Sequence, residues 1–391
     1  MPVLPTPEDV LGALRGVIDP ELGSDIVELG MARAARIDPD GTVTVTVALT
    51  TAACPLRAQL MREIVARVEG LPGVVRVTLD WVEMDDEQRS AAMNVARRAA
   101  QDSAGPNAVP TGARVLAVAS GKGGVGKSSV TANLAASLAD RGYAVGVIDA
   151  DIWGFSIPRM LGLDGRLSAE ATGDGGRRIQ PRSVTLGSGR LEVVSMGFLV
   201  DDETDALMWR GLILNRAVQH FLEDVAWSDD LDYLVIDLPP GTGDVQMGLA
   251  RMLPQAEMLV VTTPALAAQR VASRAVTMAR KSHLHVLGVI ENMSGFRCEH
   301  GTVQSVFGEG GGEALATEAG VPLIGTIPLE AAVSAGGDAG APVVLGTGPA
   351  ADAIRAITDR LVDELAPPVS MAGCSARMLA AAVTALDAAG S

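Results

Sequence analysis

The chain has 391 residues, too many for one ordinary core, and is expected to fold as two or three domains. A hydrophobic fraction of 48% excludes a disordered protein, while 3% aromatic content and 44 glycines point to the closely apposed helices, strands and turns of an α/β protein. A formal net charge of −16 opposes nonspecific binding to nucleic acid or to an anionic membrane, so neither is expected as a partner.

The opening MPVLPTPEDV has no basic segment followed by an apolar one, and no apolar run approaches the ~18 to 20 residues that span a bilayer. Cys54, Cys298 and Cys374 are too few and too scattered for a disulfide framework, which places the chain in the reducing cytoplasm. Residues 1–85 read as a small α+β domain: an amphipathic helix at about 7–17, an alternating strand TVTVTVAL, a helix in PLRAQLMREIVARVEG and a strand VVRVTLDWV. Residues 86–112 turn charged and alanine-rich before SAGPNAVPTG, a short helix plus a flexible linker. In residues 113–366 the apolar strands RVLAVAS, YAVGVIDAD, LEVVSM, YLVIDLPP, MLVVTTP, VLGVIENM and PLIGTIP alternate with helical stretches. That alternation predicts a mostly parallel sheet covered by helices on both faces. Residues 164–190 read as an irregular or hairpin insertion, and residues 367–391 as a tail.

Between the first two of these strands and helices lies Gly121-Lys122-Gly123-Gly124-Val125-Gly126-Lys127-Ser128, followed by Ser129, which fits G-x-x-x-x-G-K-[ST]. Glycines let successive backbone N–H groups turn inward around phosphate oxygens, and the helix that follows adds its partial positive charge. Lys127 is expected on the β and γ phosphates of ATP and the Ser128 hydroxyl on Mg²⁺. Only three of the 31 basic residues are lysine, and two of them, Lys122 and Lys127, lie in this loop, where a compact ammonium suits a point contact to phosphate. Asp149 and Asp151 follow the strand VGVID at the sheet edge where ligands bind, and are expected to order Mg²⁺-bound water and the attacking water; for Asp151 a surface cap is the competing reading. Asp237 ends YLVID and is expected to face Mg²⁺. PPGTGD at 239–244 reads either as a switch turn facing the γ-phosphate or as a turn that caps a helix at Asp244.

With its extra lysine, KGGVGKS resembles the deviant Walker A loop of the SIMIBI-class ATPases, in which the lysine matched by Lys122 reaches the nucleotide of a partner subunit; the resemblance implies a homodimer. The blocks SGKGGVGKSSVTANLA, VIDADIWGFSIPRMLG, LMWRGLILNRAVQHFLEDVAW, LDYLVIDLPPGTGDVQ and VIENMSGF together resemble the Mrp/ApbC family of iron-sulfur cluster carrier ATPases over about 113–365. DPELGSDIVELG and LTTAACPL resemble the small metal-sulfur cluster assembly domain found at this end of many such proteins.

The resemblance implies ATP-dependent transfer of a cluster, usually [4Fe-4S], to apo iron-sulfur proteins. It also implies that Asn292 reads adenine, a turn-forming asparagine being the other reading. The family's C-x-x-C falls here on Cys298-Glu299-His300-Gly301, so the first cysteine is kept and the second is absent. A cluster takes about four ligands, and a two-fold dimer would supply Cys298 twice, leaving His300, Cys54 or an external thiol for the rest. Trp153 and Phe155 stand where relatives carry tyrosine and histidine. The competing reading is a MinD/ParA-like positioning ATPase without a cluster, which would call for a basic amphipathic C-terminal helix or a basic face; the tail carries one basic residue, Arg377.

Overall fold

The computed structural model describes residues 4–19, 22, 24–49, 57–103, 107–151, 154–171, 177–199, 211–241, 244–282, 284–298, 300 and 302–369. Cys54, Trp153, Gly301, Cys374 and most of the LMWRG block lie outside them. The chain divides into two compact units, Met1–Ala104 and Gly105–Ser391.

In the first unit, α1 (Pro7–Leu14) begins on a capping box: the Thr6 hydroxyl accepts from the Asp9 N–H while the Asp9 carboxylate accepts from the Thr6 N–H. Strand β1 (Ala32–Ile37) pairs antiparallel with β2 (Thr42–Leu49). After α2 (Arg57–Glu69), strand β3 (Arg76–Glu83) pairs with β2 in parallel. The alternation in TVTVTVAL does what a period of two demands, burying Val43, Val45 and Val47 against Leu60, Ile64 and Val68 of α2. The stretch read as a short helix plus linker is helical through Ser103 as α3 (Asp86–Ser103), and its Ala92 and Ala96 are buried in this unit's core.

The second unit opens with β4 (Arg114–Ser120), α4 (Lys127–Asp140), β5 (Ala144–Asp149) and the short α5 (Ile157–Met160). The insertion is built of hairpins: β6 (Ser168–Ala171) pairs antiparallel with β7 (Arg177–Gln180), and β8 (Arg182–Leu186) with β9 (Gly189–Ser195). Then follow α6 (Gly211–Glu223), β10 (Tyr233–Asp237), α7 (Asp244–Met252), β11 (Glu257–Thr262), α8 (Leu266–Lys281) and β12 (His285–Arg297). The unit closes with β13 (Val303–Gln304), α9 (Gly311–Ala319), β14 (Leu323–Leu329), α10 (Ala331–Asp338) and α11 (Pro349–Arg360).

Its main sheet runs β13-β12-β11-β4-β10-β5-β9-β8, with β14 also paired to β12. The stretch from β12 to β9 is parallel, as is β14 on β12; β13 and β8 are antiparallel additions. Successive residues of each central strand enter opposite cores. Val115, Ala117 and Ala119 of β4 pack with α6 to α9, while Leu116 and Val118 pack with α4 and α11. Burial on both faces explains why these strands show no polar alternation. Among the described residues no helix is long and apolar enough to cross a membrane.

Candidate functional site

Register across the sheet assembles the site. Asp237 at the end of β10 lies opposite Asp149 at the end of β5, and Asp149 in turn lies opposite Ser195 at the end of β9. Beside them β4 delivers the glycine loop onto the N-terminus of α4, where Gly126 takes a left-handed conformation (φ 79°) that a side chain would resist. Gly121 is required for a different reason. A Cβ there would lie 2.3 Å from the Val271 carbonyl carbon and the Ala272 nitrogen, both backbone atoms of α8.

Lys127 is buried, and its Nζ stands 2.7 Å from Asp237 Oδ2 and 3.6 Å from Asp151 Oδ2. The Ser128 hydroxyl donates to the same Asp237 oxygen at 2.5 Å. The other oxygen, Oδ1, accepts from the Thr131 hydroxyl at 2.8 Å. Thus four of the predicted residues, Lys127, Ser128, Asp151 and Asp237, converge on one point below the loop. Lys122, the loop's other lysine, is exposed.

Asp149 has a different place from the one expected. It is fully buried, and its oxygens accept from the N–H groups of Asp151 (3.2 Å), Ser156 (3.2 Å) and Ile157 (3.3 Å) and from the Ser195 hydroxyl (3.0 Å). This carboxylate therefore ties down the segment after β5, and Asp151 is the member of the pair aimed at the phosphate cradle. Burial, and next the Asp237 carboxylate, push the Asp149 carboxyl up to about 7 against the opposing pull of Lys127 and Ser195. Asp151 is raised too, by burial first, with the Lys127 charge opposing.

Asn292 is buried, and its Nδ2 donates to the Val125 carbonyl of the loop at 2.9 Å. The side chain so holds the loop, leaving its carbonyl oxygen as the acceptor that an exocyclic amine would need. In the turn after β10, the Gly241 N–H donates to the Ser120 carbonyl and Gln246 Nε2 to the Pro239 carbonyl; Thr242 and Gly243 lie outside the described residues.

In place of a turn at Asn292, strand β12 continues to Arg297. Phe296 and Arg297 pair with Gln304 and Val303 of β13, which makes Cys298 the first residue of a tight hairpin connection, its N–H donating to the Thr302 carbonyl at 3.0 Å. The thiol is half-buried and held below the usual thiol range, chiefly by the His300 N–H, with Thr302 adding to the effect. His300 is exposed at the same turn. Among the described residues no group of three or more His, Cys, Asp or Glu side chains is placed to hold a metal ion.

Two contributors escaped the sequence reading. Thr131 was findable, since it lies four residues after Lys127 on one helix face. Ser195 was not, because nothing local tells which strand lies beside β5.

The NUBPL iron-transfer P-loop NTPase model matches residues 112–362. The chain belongs to that family. A second model, of an iron-sulfur cluster assembly protein, matches residues 7–79. The family relatives include the iron-sulfur cluster carrier protein of Mycobacterium tuberculosis, 46% identical over 85% of this chain and 86% of its own length. The protein of the same description from Synechocystis is 39% identical over 94% and 99%. Among solved structures, a nucleotide-binding protein from Archaeoglobus fulgidus in complex with ADP is 36% identical, covering 58% of this chain and 86% of its own, with a TM-score of 0.48.

Proposed function

We propose that this family member is an ATP-binding and ATP-hydrolysing carrier that holds an iron-sulfur cluster between two copies of the chain and delivers it to apo iron-sulfur proteins in the cytoplasm. The observation that carries the reading is that one strand, β12, brings Asn292 to the phosphate loop and leads directly into the hairpin connection that holds the half-buried Cys298, six positions later.

In the nucleotide site, Lys127 exchanges Asp237 for phosphate oxygens, and the inward N–H groups at the start of α4 take the remaining charge. Ser128 and Asp237 are hard oxygen donors already in contact, a pair suited to Mg²⁺, and they would hold it. When bound, that ion neutralises charge on the phosphates. Thr131 keeps the other Asp237 oxygen from turning away. Asp151, set by the Asp149-anchored segment, orients the attacking water, for which positioning is most of the catalysis. The Asn292 carbonyl accepts from the adenine amine, and Lys122, exposed, reaches the nucleotide of the second copy.

The cluster is cargo. Its iron is bound by the Cys298 thiolate of each copy, the depressed thiol favouring that form, with the remaining ligands drawn from His300 or an external thiol. Anaerobic reconstitution followed by iron and sulfide analysis tests the reading. The parent chain is expected to retain both elements and a Cys298→Ala variant to lose them while still binding ATP. Equal retention by the two would sink it.

A further inference from the structure

We infer that Met293 is a positioning residue that links occupancy of the phosphate loop to the environment of the Cys298 thiol. The inference rests on the nucleotide reading above and adds the route by which the two ends of β12 communicate. Among the described residues, Met293 is the one non-glycine residue with positive φ, at 57°. A long side chain in that conformation is uncommon and is held there by its surroundings.

The surroundings are specific. The preceding residue, Asn292, is bonded through Nδ2 to the Val125 carbonyl, and the Met293 methyl lies near Gly126, 3.5 Å from where a Cβ would stand. At this point the ladder breaks. Asn292 is opposite Ile327 and Phe296 is opposite Leu329, so three residues of β12 span one residue of β14, and that residue is Pro328, which has no N–H to offer. Pairing to β11 has already ended at Glu291. Beyond the bulge the strand is held at Phe296 by Leu329 of β14 and over Phe296 and Arg297 by the short β13, whose connection carries Cys298.

The loop side of β12 is therefore clamped, and the cysteine side, paired only over Phe296 and Arg297, is joined to it through a left-handed residue inside a bulge. Phosphate entering the loop draws Lys127 from Asp237 and shifts the Val125 carbonyl with the loop. Asn292 follows that carbonyl, and the left-handed Met293, unable to swivel freely, passes the shift to Phe296, Arg297 and Cys298. Glycine at this place would hold the same φ at no cost but let the joint swivel. Asparagine, which tolerates the left-handed region, would keep the joint's restriction.

The test follows iodoacetamide alkylation of the Cys298 peptide by mass spectrometry in the full chain, with and without ATP and Mg²⁺, while nucleotide affinity is measured separately with a fluorescent ATP analogue. For the parent and for Met293→Asn, the nucleotide is expected to change the alkylation rate by about fivefold, the lower end of ordinary coupling between sites. For Met293→Gly the change is expected to vanish while affinity stays within about threefold of the parent, since glycine holds the same φ and leaves the Asn292 bond to Val125 in place. A full response in Met293→Gly, or none in a parent chain that binds the analogue, overturns the relay. A parent chain that binds no analogue overturns the nucleotide reading and the relay with it.

Discussion

Replacing Lys127 by methionine should cost stability as well as nucleotide binding. The ammonium is 6% exposed and lies 2.7 Å from Asp237 and 3.6 Å from Asp151, with Asp149 buried behind them. Methionine keeps much of the stem and removes the charge, so Asp237 and Asp151 lose the cation paired with them. Breaking a buried ion pair from one side costs roughly 3–5 kcal/mol, because the abandoned charge stays behind.

The same substitution should also alter the pH dependence of stability. The Asp149 carboxyl is raised from an ordinary 3.8 to about 7, chiefly by burial, so the folded chain binds a proton that the unfolded chain has released. Stability from that group is complete below about pH 4 and is lost as pH rises through about 7. Lys127 lowers this pKa, so Lys127→Met should push it higher and steepen the loss towards neutral pH. Acid should narrow the gap to the parent, and added Mg²⁺ should recover part of it. Urea unfolding of the full chain across this pH range, with hydrogen exchange on β10 to report the second unit, measures both effects. A variant within about 1 kcal/mol of the parent at neutral pH, where typical substitutions already cost that much, would refute the reasoning, as would an unchanged pH slope.

The two aspartates after β5 should separate cleanly. Asp149→Asn gives up one of the two acceptor oxygens that take four hydrogen bonds and is expected to destabilise by about 1–3 kcal/mol in denaturant unfolding, whereas Asp151→Asn is expected to fold and bind ATP but lose hydrolysis. Gly121→Ala drives a methyl into the α8 backbone and should weaken nucleotide binding by at least about tenfold in equilibrium titration, the equivalent of 1.4 kcal/mol. Lys122→Ala should bind ATP like the parent but lose the rise of specific ATPase activity with protein concentration; equal losses of binding in Lys122→Ala and Lys127→Ala would count against a shared nucleotide site.

Much of the nucleotide site was legible because its parts are local. A glycine loop between an apolar strand and a helix is one contiguous stretch, and an aspartate ending an apolar strand necessarily emerges at the sheet's carboxyl edge. Asp149 and Asp151 show where that reasoning stops. Both sit in one DAD triplet, yet one is consumed by Ser156, Ile157 and Ser195, and the other faces Lys127. Ser195 enters because β9 happens to lie beside β5, which no pattern within either strand specifies. The extent of β12 was likewise hidden, since NMSGFR contains turn-forming residues, and only pairing with β13 and β14 keeps it extended.

Residue order by itself determined the α/β fold with its parallel sheet, the phosphate loop with its two lysines, and the position of a single cysteine shortly after Asn292. These follow from periodicity and short spacings, which constrain the backbone within a few residues. Tertiary structure decided the rest: that Asn292 grips a carbonyl 167 positions away, that Thr131 and Ser128 share Asp237 with Lys127, and that Cys298 lies beyond a bulge. Each of these depends on which strands became neighbours, and that was settled by burying the apolar surface of the whole sheet at once.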